Sequence, residues 1–238
     1  MLYHFGWALT RFGVPADAVP VLQEAIDVAR SAGIHNTVQW ATADLGLALL
    51  GLGRVDEAAA HFTSTGTARD EVGDDAGTVL RTYGEAVLTL DRQCPAAARP
   101  LFARAYVCFR RLGVAVATGL ALAGIAACDE RLGDPVSARD GYQRLLSHAE
   151  SSGEMGLMAT ALEGLARAAL TDSDPASAAD LLARAAAIRD THARPASPGE
   201  AAATAATVAA VNRALSEADD SPQEKRAATG QSARDSGR

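Results

Sequence analysis

The chain has 238 residues, 48% of them hydrophobic and 21% charged, with a formal net charge of −7. That length suits one large domain, two small ones or an elongated array without a single core. An acidic balance supplies no concentrated basic surface for nucleic acid, and 21% charge is too little for a disordered polyelectrolyte.

Alanine accounts for 54 residues, whereas aromatics make up only 5%. Alanine has the highest helix propensity and no side-chain entropy to lose, so the bias predicts an all-α fold packed on small faces. Of the 22 basic residues only Lys225 is lysine, a skew better explained by coding bias than by arginine-based recognition. Cys94, Cys108 and Cys128 are odd in number and widely spaced, which fits buried thiols in a reducing cytoplasm rather than disulfides or zinc. The first residues lack the basic and apolar regions of a signal peptide. The longest uncharged stretch, Leu112 to Cys128, reads as a buried central helix rather than a membrane span.

A 40-residue period organises the chain. Ala18, Ala58, Ala98, Ala138 and Ala178 fall in register, and four positions on stand Leu22, Phe62, Phe102, Tyr142 and Leu182. Gly33, Gly73, Gly113 and Gly153 recur, closed by Ala193. Gly6, Gly46, Ala86, Ala126 and Ala166 form a small-residue series, and Pro15, Val55, Pro95, Pro135 and Pro175 a boundary series. Each unit reads as two antiparallel helices.

In chain order, Met1 falls inside helix A of the first unit, leaving Leu2, Phe5 and Leu9 toward a neighbour outside the chain. That neighbour is either a preceding segment of a longer protein or another subunit, which makes the edge a surface for self-association. In the second unit helix A covers about 36–52 and ends at Gly53, and helix B runs from Val55 to about Glu71. Asp74 or Asp75 caps the next helix A. Later B helices begin on proline in the first turn, with Asp134 and Asp174 as N-caps. Small residues at Gly46 and its equivalents let the two helices of a unit approach, while Ala58 and Phe62 fill the seam. Five hairpins thus span 1–193. A capping helix follows at 194–218, with Ala201, Ala205, Val208, Val211 and Leu215 on one face, and 219–238 reads as a disordered tail.

The pattern Leu45-Gly46, Gly53, Ala58, Phe62, Thr65, repeated as Ile125-Ala126, Gly133, Ala138, Tyr142, Leu145, resembles a tetratricopeptide repeat (TPR). The resemblance implies an α-solenoid of helical hairpins in a right-handed superhelix, here with a longer unit than the usual one. The stretch 178–198, with Leu181-Leu182, Ile188-Arg189 and Pro195…Pro198, is similar to the end of ATP-binding transcriptional regulators of actinomycetes, of the SARP and LuxR-like types. It implies kinship with their sensor or interaction end. The chain carries no G-x-x-x-x-G-K-[ST] loop and no basic helix pair for DNA.

Catalytic signatures are missing from the sequence. His4, His35, His61, His148 and His192 show no metal-binding spacing, and Asp70, Glu71, Asp74 and Asp75 lack the alternation of a calcium loop. No serine or cysteine has histidine and aspartate at a recognisable spacing. The expectation is a non-enzyme without cofactor or metal.

Transferring the groove positions of the resembled repeat gives Tyr3, Trp7 and Arg11, then Trp40, Ala43, Leu47 and Leu50. The third unit contributes Leu80, Tyr83, Val87 and Asp91. The last two contribute Ala123, Ala127, Glu130 and Arg131, then Glu163 and Arg167. The surface so defined is apolar in its first half and charged in its second, which suits a protein or peptide ligand with one apolar and one ionic end. Two alternatives stand: these rings pack between repeats, or Trp7, Trp40 and Tyr83 form a pocket for a small molecule.

Overall fold

The computed structural model describes residues 1–11, 14–64, 76–191, 196 and 200–217. Ten helices carry names here: α1 (Leu2–Arg11), α2 (Pro15–Ser31), α3 (His35–Gly51), α4 (Val55–Ser64), α5 (Ala76–Asp91), α6 (Pro95–Leu112), α7 (Ala115–Arg131), α8 (Pro135–Ser152), α9 (Met155–Thr171) and α10 (Pro175–Thr191). A further helix, α11, occupies 200–217. No strand occurs among the described residues. The expected end of the second helix B, the caps at Asp74 or Asp75, and the tail 219–238 lie outside them.

Local chemistry sets the boundaries. Pro15, Pro95, Pro135 and Pro175 open their helices, where a missing N–H costs nothing. Asp134 accepts from the Ser137 amide at 3.0 Å, and Asp174 from the Ser177 amide at 3.0 Å. The turns after α3, α5, α7 and α9 close with paired reverse bonds, such as Arg54 N–H to Leu49 O at 2.9 Å with Gly53 N–H to Leu50 O at 2.9 Å. This Schellman closure needs a left-handed residue, filled by Gly53 (φ 73°) and Gly133 (φ 75°) but by Gln93 (φ 61°) and Ser173 (φ 60°) in the alternate units.

Packing follows the period. The Phe62 ring lies against Gly46 of its own hairpin, where an added Cβ would come within 2.7 Å of it, and against Gly84 of the following helix. Phe102 faces Gly124 and Tyr142 faces Gly164 in the same way. This second small-residue column, at 84, 124 and 164, was not part of the sequence pattern. It turns each ring into a knob held between two odd helices, and the close backbone approach explains the alanine and glycine bias.

Successive odd-numbered helices pack directly on one another, whereas among the described residues no pair of successive even-numbered helices does so to a comparable extent. The odd layer is therefore the tighter, concave side and the even layer the outer, fanned side. The helices α3 and α7 bury residues over more than half of their circumference, as inner helices between two neighbours must, and leave one face accessible. The apolar stretch 112–128 is largely α7, and no helix among the described residues is long and apolar enough to cross a membrane.

Helix α11 covers the last hairpin through Val211 and Leu215, which meet Ala166, Ala178 and Leu182. Its inward stripe is rotated from the expected one. Thr207 is buried with Val211, whereas Ala201, Ala205 and Val208 are exposed. The Thr207 hydroxyl donates to Ala203 O at 2.8 Å, so a polar side chain is buried without an orphaned group, which hydrophobic periodicity could not reveal.

Candidate peptide-binding groove

Positions 40 residues apart occupy equivalent places on successive odd helices, so the groove resolves into register columns. The column Trp7, Leu47, Val87, Ala127 and Arg167 stays half-buried or exposed throughout. Trp7 is 42% exposed. Four residues along, Gly51, Asp91, Arg131 and Thr171 are accessible as well. Arg11 belongs to that column as a backbone position; its side chain lies outside the described residues.

The column Tyr3, Ala43, Tyr83, Ala123 and Glu163 turns inward instead. Tyr83 and Glu163 are buried, and so is Leu80, which corrects their expected place on the groove wall. Trp40 and Tyr3 are half-buried. Tyr83 stacks edge-on with Phe62, Phe102 and Phe109 at centroid separations of 5.8–6.0 Å. Of the two roles open for this ring, it takes the one between repeats, and a Trp7–Trp40–Tyr83 pocket loses its third member. Burial raises the Tyr83 phenol far above its usual range. Tyr3 is raised by burial and by the Asp44 carboxylate to which it hydrogen-bonds, so this phenol stays protonated.

Where the third unit has Tyr83 against Phe109, the fifth has Glu163 against Arg189, at the same register positions. Arg189 donates from Nε and Nη2 to Glu163 at 2.8 and 2.9 Å, with side chains 13% and 5% exposed. Glu200 of α11 lies 3.8 Å from the same guanidinium and accepts from Thr160 Oγ1 at 2.9 Å. An ionic seam thus ties α9, α10 and α11 together.

The charged half of the groove is internally paired. Arg167 donates to Glu130 at 2.6 and 3.1 Å and to the Tyr142 hydroxyl at 3.0 Å, with its guanidinium 5.5 Å from the Tyr142 ring centroid. Tyr142 donates to Glu130 at 2.7 Å, and burial keeps its phenol protonated. These three side chains border a cleft of about 220 Å³. Arg131 donates to Leu90 O of α5 at 2.8 Å. Tyr142 was expected only as a seam-filling ring; its hydroxyl's part in the charged end carries no sequence signal beyond its residue type.

Of the cysteines only Cys128 is buried, and Cys94 is exposed, which corrects the expectation of three buried thiols. Burial pushes the Cys128 thiol up to about 11, leaving it protonated and unreactive at neutral pH. Among the described residues no group of three or more His, Cys, Asp or Glu could hold a metal ion.

No family model matches the chain, and no curated protein matches it. Among solved structures it is similar to a Podosopora anserina putative kinesin light chain with nearly identical TPR-like repeats. A singly substituted form of that protein gives a TM-score of 0.47 at 14% identity, covering 82% of this chain and 95% of that one. A second structure of it gives 0.46 at 14% identity, covering 82% and 96%. The order of hairpins and their packing make the fold class an all-α, TPR-like solenoid of helical hairpins.

Proposed function

We propose that the protein is an interaction module that binds a peptide along its odd-helix face, as an amphipathic helix or extended segment with one apolar and one ionic end. The observation that carries this reading is the accessible column Trp7–Leu47–Val87–Ala127–Arg167, which grades from aromatic to charged while its neighbouring column is filled. Accessible tryptophan is a favoured anchor, and paired groups such as Arg167–Glu130 orient a ligand's polar end.

The test is a peptide library selected on the immobilised full chain, followed by affinity measurement with Trp7→Ala and Trp40→Ala. Each substitution is expected to weaken the selected peptide by roughly tenfold or more without lowering Tm. Unchanged affinity in both variants would overturn the groove assignment.

The similarity of 178–198 to the end of actinomycete regulators supports a finer reading, the sensor end of a cytoplasmic bacterial transcriptional regulator. An upstream frame encoding an ATPase or DNA-binding domain would support that parentage, and an unrelated gene would end it. The division into five hairpins over 1–193 closed by 194–218 belongs to the same reading, supported by α11 seated on the last hairpin. Phe5, 56% exposed on α1, supports self-association through that edge, which light scattering tests.

A further inference from the structure

On the outer layer, a cleft of about 390 Å³ opens between α6 and α8. It sits where one seam departs from the repeat. In the next seam, between α8 and α10, half-buried Leu146 and Ile188 pack on buried Ala159, Leu162 and Ala185. Forty residues earlier, Tyr106 stands for Leu146 and His148 for Ile188, while Gln143 and Ser147 stand for Ala183 and Ala187. Four positions that are aliphatic in one seam are therefore polar in the other, and all four line the cleft.

The half-buried Tyr106 ring carries two guanidinium groups, Arg110 at 5.6 Å and Arg144 at 5.8 Å from its centroid. Attraction to the ring keeps both charges beside the cleft; Arg144 lines it, and Arg110 stands next to that lining through the shared ring. Arg110 makes no ion pair among the described residues, and Arg144 has only Asp140, at 3.9 Å. Buried Leu122 forms an apolar floor, and His148 Nε2 is anchored on Ala115 O at 2.7 Å, which fixes one wall.

The geometry points to a binding site between α6 and α8 for a small organic anion, a carboxylate or phosphomonoester on a short apolar body. The Arg144 fork matches the paired oxygens of either group, Arg110 beside the same ring adds a second positive charge, and Gln143 and Ser147 supply further donors. The cleft volume lies within the range of small-ligand sites. Asp140 is the opposing charge, and a bound anion must compete with it for Arg144.

The test uses the full chain, isotopically labelled, titrated with inorganic phosphate and separately with succinate while amide and arginine Nε resonances are followed by NMR. Saturable shifts at Arg110, Arg144, Ser147 and His148 are expected with at least one probe, and the tighter probe names the acid group. Arg144→Gln should weaken binding by about tenfold, as loss of a charged hydrogen bond does. Asp140→Asn should tighten it severalfold. Tyr106→Leu, which restores the side chain of the equivalent seam and so preserves the fold, should also weaken it. Shifts that fail to saturate with both probes, spread over the surface arginines, or persist unchanged in Arg144→Gln would overturn the site.

Discussion

Gln93 and Ser173 hold the left-handed conformation that glycine holds at Gly53 and Gly133. A side chain there costs about 1–2 kcal/mol, partly offset by the larger entropy loss of glycine on folding. The helix-ending bonds are nevertheless complete, Cys94 N–H reaching Thr89 O at 3.1 Å and Asp174 N–H reaching Ala169 O at 3.0 Å. Gln93→Gly and Ser173→Gly should therefore each stabilise the protein by about 0.5–1 kcal/mol, measured by urea unfolding. A loss of stability in both would mean that their side chains contribute more than the strain costs.

The helices are joined by two devices, capped starts and ring-in-glycine seams, and each makes a prediction. Hydrogen bonds from the Ser137 backbone hold the Asp134 carboxyl below its usual range, and those from Ser177 do the same for Asp174. A depressed folded-state value means the stabilisation is complete above the ordinary carboxylate range and is lost as pH falls through the depressed value. Asp134→Ala and Asp174→Ala should lower Tm at neutral pH and flatten its acid limb. Cys94 occupies the same register position before α6 with no side-chain cap bond. Cys94→Asp should raise Tm at neutral pH and lose that gain on acidification. In the seams, Gly124→Ala would place a methyl 2.5 Å from the Phe102 ring, with no room for the ring to leave. The expected loss is about 1–3 kcal/mol by denaturant unfolding, and Gly164→Ala against Tyr142 should behave alike. Exposed Ala60→Gly on α4, by contrast, should cost only helix propensity, about 1 kcal/mol.

Among the described residues, the named helices pack chiefly on those of their own and adjacent hairpins, so a local lesion is expected to stay local. The first seams are held by phenylalanine and tyrosine rings, whereas the last is held by smaller clusters and by Arg189 between Glu163 and Glu200. Glu163→Gln removes the partner of a nearly buried guanidinium, a change that costs about 3–5 kcal/mol where the remaining charge cannot reach water. Hydrogen exchange should show protection falling in α9, α10 and α11 while α2 and α6 keep theirs. Uniform loss along the chain would mean a single cooperative unit instead of neighbour-coupled hairpins.

The helical class, the 40-residue unit, the proline starts and the Asp134 and Asp174 caps were all legible in the sequence. The starts and caps depend on residues within one turn of each other, and the class and unit on composition and recurrence along the chain, so propensity and spacing determine them. The facing of each odd helix was not legible in this way. Trp7 and Tyr83 both stood among the groove candidates, and the structure leaves Trp7 42% exposed while burying Tyr83 among three rings from two other helices. That choice is made by the volumes of side chains far along the chain on either side, such as Phe62 and Phe102, which only come together when hairpins stack. The Tyr106 cleft has the same origin. Its four polar positions were present in the sequence, but their departure from the repeat became a site only once α6 and α8 were set side by side.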